Sequence, residues 1–248
     1  MVSPDLLGAS AGAGFGAALG ILLGLSSFII QMLAFGTGII AVLVTWLLHR
    51  TMGGQDTNDR ILLVLSGIVT SALFQALISI VKYVADPFDT MPSIAFWLMG
   101  GLTYVTDVDV KFLLIPALAG GIPLLLVRWK LNLLTFETDE AAAMGISIRF
   151  YRGLVIFCAT LMTAACVAVG GMIGWVGLIV PHFARMAVGP DYRKMLPATV
   201  IFGGVFLLLV DDMARFLFAQ ELPIGILTAL AGAPVFALLL IRRKGEFL

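Results

Sequence analysis

A chain of 248 residues that is 60% hydrophobic and 12% charged, with a mean hydropathy of +1.08, excludes an ordinary soluble domain. Fifteen Lys and Arg balance fifteen Asp and Glu, so the formal net charge is zero and no basic footprint for nucleic acid is present. The two cysteines, Cys158 and Cys166, fall in one apolar run, where the residues read as small buried packing side chains and indicate neither a disulfide nor a metal.

A bilayer core about 30 Å thick takes roughly 20 apolar residues per helix, and backbone polar groups in lipid must pair internally. No run alternates as a barrel strand does. The predicted fold is therefore an all-α polytopic membrane protein with about eight transmembrane helices, several short or Gly/Pro-broken. Spans are expected at roughly 6–25, 29–49, 60–83, 111–129, 151–169, 171–188, 197–218 and 223–241. The first apolar run follows Asp5 with no basic residue ahead of it, so no cleavable signal peptide is expected.

Alternating the loops gathers Arg50, Arg60, Arg128, Lys130, Arg149, Arg152, Arg185, Arg193, Lys194, Arg242, Arg243 and Lys244 on one side, against Lys82, Lys111 and Arg215 on the other. The positive-inside rule then places both termini and the 131–152 loop in the cytoplasm. Span one carries Gly8, Gly12, Gly16 and Gly20 at intervals of four, a small-residue stripe that lets a neighbouring backbone approach. The stripe serves either internal packing or a surface along a transport path or against a partner helix.

The outer loop, 84–110, holds a short apolar helix around Ser93 to Met99 and four acids, Asp86, Asp89, Asp107 and Asp109, which form a solvated rim or meet a basic partner. The 131–152 loop is amphiphilic: Glu137, Asp139 and Glu140 lead into Ala141, Ala142, Ala143 and Met144, Thr138 or Asp139 is placed to cap, and Gly145 stops the helix. Held at one membrane face between two spans, such a helix can pass force to or from a soluble partner.

Gly and Pro at the start or middle of 171–188 and 223–241 predict half-helices or kinks. Pro181 removes a helical hydrogen bond, and His182 and Arg185 mark the cytoplasmic end of the first of these spans. His49 and His182 each end a span and supply no zinc ligand set. Asp211 and Arg215, four apart, are expected to pair on one face of span seven near the outer interface; a gating or partner contact is the alternative. No GxxxxGK[ST] phosphate loop occurs, so ATP would be handled elsewhere.

Several stretches carry a family resemblance: GWVGLIVPHFAR (174–185), the Gly189, Asp191, Arg193 and Leu196-Pro197 turn, the Asp211/Arg215 pair and ELPIGILTALAGAP (221–234), with LLGASAGAGFGA (6–17), FWLMGGL (96–102) and the 131–152 loop. In these the chain resembles the permease subunits of ABC importers for iron(III)-siderophores, haem and vitamin B12, over essentially its whole length. The resemblance implies a single permease domain over 1–248 whose partners are a second permease copy in a homodimer or heterodimer, two cytoplasmic ATPase subunits, an extracytoplasmic substrate-binding protein and the lipid bilayer, with no nucleic acid. It implies a multi-pass protein of a bacterial or archaeal plasma membrane. No cofactor or metal is expected on this chain and no catalytic residue; ATP and Mg belong to the ATPase.

Carried over residue by residue, the resemblance makes Thr138, Asp139, Glu140, Ala141, Met144 and Gly145 the contact with the ATPase. Gly12, Gly16, Gly174, Pro181, His182 and Arg185 become candidates for the pathway or its gate, and Asp86, Asp89, Asp211, Arg215 and Glu221 for the outer face that meets the binding protein. Two departures stand out. Family members usually have ten spans, so the first two helices are expected to be missing here, and Ala142 stands where the family tends to carry Arg. An ion-coupled secondary carrier and a truncated, non-transporting remnant are the competing readings; an intramembrane enzyme finds neither an HExxH pair nor a Ser/His set.

Overall fold

The computed structural model describes residues 7–51, 59–135, 147–216 and 222–244. Among the described residues nine α-helices follow in order: α1 (Ala9–Leu22), α2 (Ser27–Thr51), α3 (Asp59–Val84), α4 (Thr90–Met99), α5 (Asp107–Leu131), α6 (Ile148–Gly170), α7 (Val176–Val188), α8 (Tyr192–Phe216) and α9 (Ile224–Lys244), with a 3-10 turn at Asn132–Thr135. No strand occurs among the described residues. Five helices, α2, α3, α5, α6 and α8, are long and apolar enough to cross a membrane. Shorter apolar helices among the described residues lie at Ala9–Leu22, Thr90–Met99, Val176–Val188 and Ile224–Ala237.

Eight helices fall where spans were expected, and α4 matches the predicted short outer helix. Two spans are shorter than anticipated. Helix α1 has 14 residues and begins after Gly8, whose φ of 88° breaks the helix on its N-terminal side. The span expected at 171–188 is helical only from Val176. At 1.5 Å per residue these helices measure about 20 Å, less than a bilayer core.

The chain forms two compact units, residues 1–121 with 156–172 and residues 122–155 with 173–248. In the first, α1 packs against α2, α3 and α4. All its buried residues are Ala or Gly, so its surface is thin and α2 lies very close: a Cβ added to Gly12 would stand 2.5 Å from Ala41 Cβ and 2.6 Å from the Thr37 carbonyl. Thr45 donates to the Leu7 carbonyl at 2.8 Å, fastening one end of α2 to the chain just before α1. At the other end, Ala18, Val81, Ala85 and Ile94 form a cluster closed by Phe15 and Leu98. In the second unit α7, α8 and α9 pack on one another.

Cys158 is buried in α6 as expected, but Cys166 is exposed. The packing reading is corrected there: Cys166 keeps solvent-accessible surface between the buried Ala165 and Val167.

Many large apolar side chains point away from the packing, among them Ile68, Leu73, Ile115, Leu126, Val200 and Leu208. A surface of this kind is stable only against lipid or another apolar face.

Candidate functional site

Helix α6 stops at Gly170, and the chain runs without helix to Trp175. Two residues there take left-handed backbone angles, Gly171 at φ 70° and Trp175 at φ 70°. For tryptophan this costs on the order of 1–3 kcal/mol and survives only where surrounding packing holds it. The packing is visible: a Cβ on Gly232 of α9 would stand 2.6 Å from the Trp175 Cβ, and the Trp175 ring meets Phe236 edge-on at 6.2 Å. Gly174 is exposed with open space around it.

On the Gly171 side of the break, the Gly101 amide donates to the Gly170 carbonyl at 2.8 Å, and Gly171 lies so close to the Trp97 carbonyl that a Cβ there would stand 2.5 Å from it. Along α7, Pro181 sits inside the helix and offers no N–H to the Gly177 carbonyl. His182 is half-buried; Arg185 is exposed one turn before Gly189 ends the helix.

The ends of the 131–152 loop are built from side chains with few alternatives. Lys130, in the last turn of α5, donates its Nζ to the Tyr151 hydroxyl at 2.5 Å, and its ammonium lies 5.1 Å and 4.9 Å from the Trp129 and Tyr151 ring centres. Asn132 reaches the turn between α7 and α8: its Nδ2 donates to Asp191 Oδ1 at 2.7 Å, and its Oδ1 accepts from the Tyr192 amide at 3.0 Å. Asp191 Oδ1 also accepts from the Arg193 amide at 2.9 Å. That amide and the Asn132 side chain hold the Asp191 carboxyl below the usual carboxylate range, with smaller help from the charges of Arg193 and Lys194. Thr138, Asp139, Glu140, Ala141, Met144 and Gly145, and likewise Glu221, lie outside the described residues.

The remaining candidates have defined places. Gly12 and Gly16 are buried against α2, the packing side of the expectation for the stripe. Asp86 Oδ1 accepts from the Phe88 and Asp89 amides at 2.9 and 3.1 Å, shaping the entry to α4, while Asp89 is exposed at its N-cap without a side-chain capping bond. Arg215 donates to Asp211 through Nε at 2.9 Å and through Nη2 at 3.3 Å. Since α8 starts at Tyr192, Asp211 lies about 28 Å along it, nearer the helix end than a start at Pro197 implied.

Sequence reading missed three polar ties: Asn132 to Asp191, Lys130 to Tyr151, and Gln31 Nε2 to Asp109 Oδ1 at 2.7 Å. Each joins residues at least 21 apart. The available signal was a polar side chain at the edge of an apolar run, which marks an end of a span without naming its partner.

A model of the FecCD transport family matches residues 1–242. The molybdate import system permease protein MolB of Haemophilus influenzae is 38% identical, over 98% of this chain and 72% of its own. The Fe(3+) dicitrate transport system permease protein FecC of Escherichia coli is 36% identical, over 99% of this chain and 74% of its own. Among solved structures, one assigned to the metal-chelate type of ABC transporter, in an inward-facing conformation, superposes with a TM-score of 0.90 at 38% identity, covering 97% of this chain and 76% of that one.

Proposed function

The chain belongs to the FecCD transport family and is a permease of an ABC importer for metal chelates and related substrates; from that premise we propose that its cargo is an iron chelate, carried through a path between two permease copies and driven by ATP bound on separate subunits. The observation that carries the reading is the unbroken family match over residues 1–242. The relative that handles ferric dicitrate supports iron. Haem and cobalamin are further chelates of the same class. The molybdate relative, at 38% identity against 36% for the dicitrate one, favours a second reading in which the cargo is an oxyanion.

In this proposal the 131–152 loop, with Thr138, Asp139, Glu140, Ala141, Met144 and Gly145, is the cytoplasmic surface received by the ATPase, and both termini share its side of the membrane. The balance of Lys and Arg between alternate loops supports that orientation. Gly174, Pro181, His182 and Arg185 belong to the path or its gate; non-helical backbone at membrane depth is tolerated only inside protein or beside water, and the break before α7 supports this reading. Gly12 and Gly16 serve the path through the α1–α2 seam that fixes the shape of their unit. Asp86 and Asp89 in one unit, and Asp211, Arg215 and Glu221 in the other, are the outer-face candidates for contact with a binding protein.

The test is uptake into vesicles holding the complete transporter. Iron-chelate accumulation that follows internal ATP and persists when an ionophore collapses ion gradients is expected. Accumulation that collapses with the ionophore instead would identify a secondary carrier, and molybdate uptake without iron uptake would select the second reading. Changing Asp139, Glu140 and Gly145 together should release the ATPase from the purified permease.

A further inference from the structure

The first four amides of α8 need acceptors from outside the helix. The Lys194 and Met195 amides are accepted by the Asp191 carbonyl, at 3.1 and 2.8 Å. Arg193 is taken by the Asp191 side chain. The remaining amide, that of Tyr192, is taken by Asn132, 60 residues earlier in the chain. Asn132 thus acts as a cap supplied from another element, and its second bond grips the residue that caps the next amide. Because Asn132 opens the 3-10 turn that continues α5, the grip falls at the root of the 131–152 loop. On the far side of that loop Tyr151 is tied back to Lys130.

We propose that Asn132 is a positioning residue that fastens the root of the 131–152 loop to the turn between α7 and α8, so that displacement of the loop is delivered to those two helices. The inference rests on reading that loop as the contact for an ATPase. Three geometric facts carry it. Both amide atoms of Asn132 are used, which fixes the orientation of the group as well as its distance. One bond meets the Tyr192 amide that opens α8 and the other the Asp191 side chain just before it. And the same turn ends α7, since only Gly189 and Pro190 separate Val188 from Asp191. A single tie therefore reaches both helices.

The test uses the reconstituted permease–ATPase complex and two variants. Asn132→Asp sets a carboxylate against the Asp191 carboxylate and breaks the tie while keeping size; adding Asp191→Asn restores a donor and an acceptor with the roles exchanged. Asn132→Asp is expected to keep its ATPase, go on hydrolysing ATP, and lose about tenfold in substrate moved per ATP, and the double variant is expected to recover to within about twofold. In the permease alone, hydrogen exchange at the Tyr192 amide should quicken in Asn132→Asp and return to the parent rate in the double variant. An unchanged transport-to-hydrolysis ratio in Asn132→Asp overturns the proposal, as does a double variant that stays uncoupled, or loss of transport only because the ATPase dissociates. If the parent permease binds no ATPase, the reading of the loop fails and this proposal with it, whatever the exchange rates show.

Discussion

Gly16 has no room for a methyl group. A Cβ there overlaps the Thr37 hydroxyl and comes within 2.5 Å of the Leu33 carbonyl, and Thr37 is itself pinned by a 2.7 Å bond to that carbonyl. Gly16→Ala should therefore cost about 1–3 kcal/mol, seen as a lower thermal midpoint in detergent, whereas Gly36→Ala, with nothing within 4 Å, should leave the midpoint unmoved.

Asp191 allows a test by pH. Its folded carboxyl titrates below its unfolded one, so its contribution is complete above the ordinary value of about 3.9 and fades as pH falls through the depressed folded value. The difference in midpoint between the parent and Asp191→Asn should accordingly be constant at neutral pH and shrink only below about pH 4. At this scale the sequence was partly legible. Glycines four apart announce a close helix contact, and Asp211 with Arg215 announces its own pair. Trp175 gave no sign of its left-handed backbone, because nothing in an isolated tryptophan favours it and the glycine that makes room lies 57 positions away.

Helices as units were easier to anticipate than their starts. Apolar length located all eight expected spans, and Gly and Pro predicted the broken span at 171–188; the restart at Val176 depends on the packing of Trp175 against α9. That dependence can be measured. Gly232→Ala drives a methyl into the Trp175 Cβ and should destabilise by about 1–3 kcal/mol, while Trp175→Gly in the same chain removes both the clash and the backbone strain and should recover part of the loss. Equal losses in the single and double variants would show that the contact does not fix the break.

For the whole molecule, composition alone was enough for the membrane assignment, since few arrangements other than packed helices bury so little charge in so much apolar surface. The cross-links between elements were not legible. Gln31 and Asp109 meet over 78 residues, and no spacing rule selects one over the other polar groups at the same end.

The unusual make-up of α1 bears on motion. Alanine and glycine have no side-chain rotamers to lose or to exchange, and every buried position of this helix is one or the other. Helix α1 itself consequently offers few torsions to flicker on the picosecond-to-nanosecond scale, and rotamer freedom in its unit belongs to the larger side chains packed around it, such as Val81, Ile94 and Leu98. Helices gathered around so quiet an axis are suited to shift as one block, keeping their mutual contacts through a slow change of state.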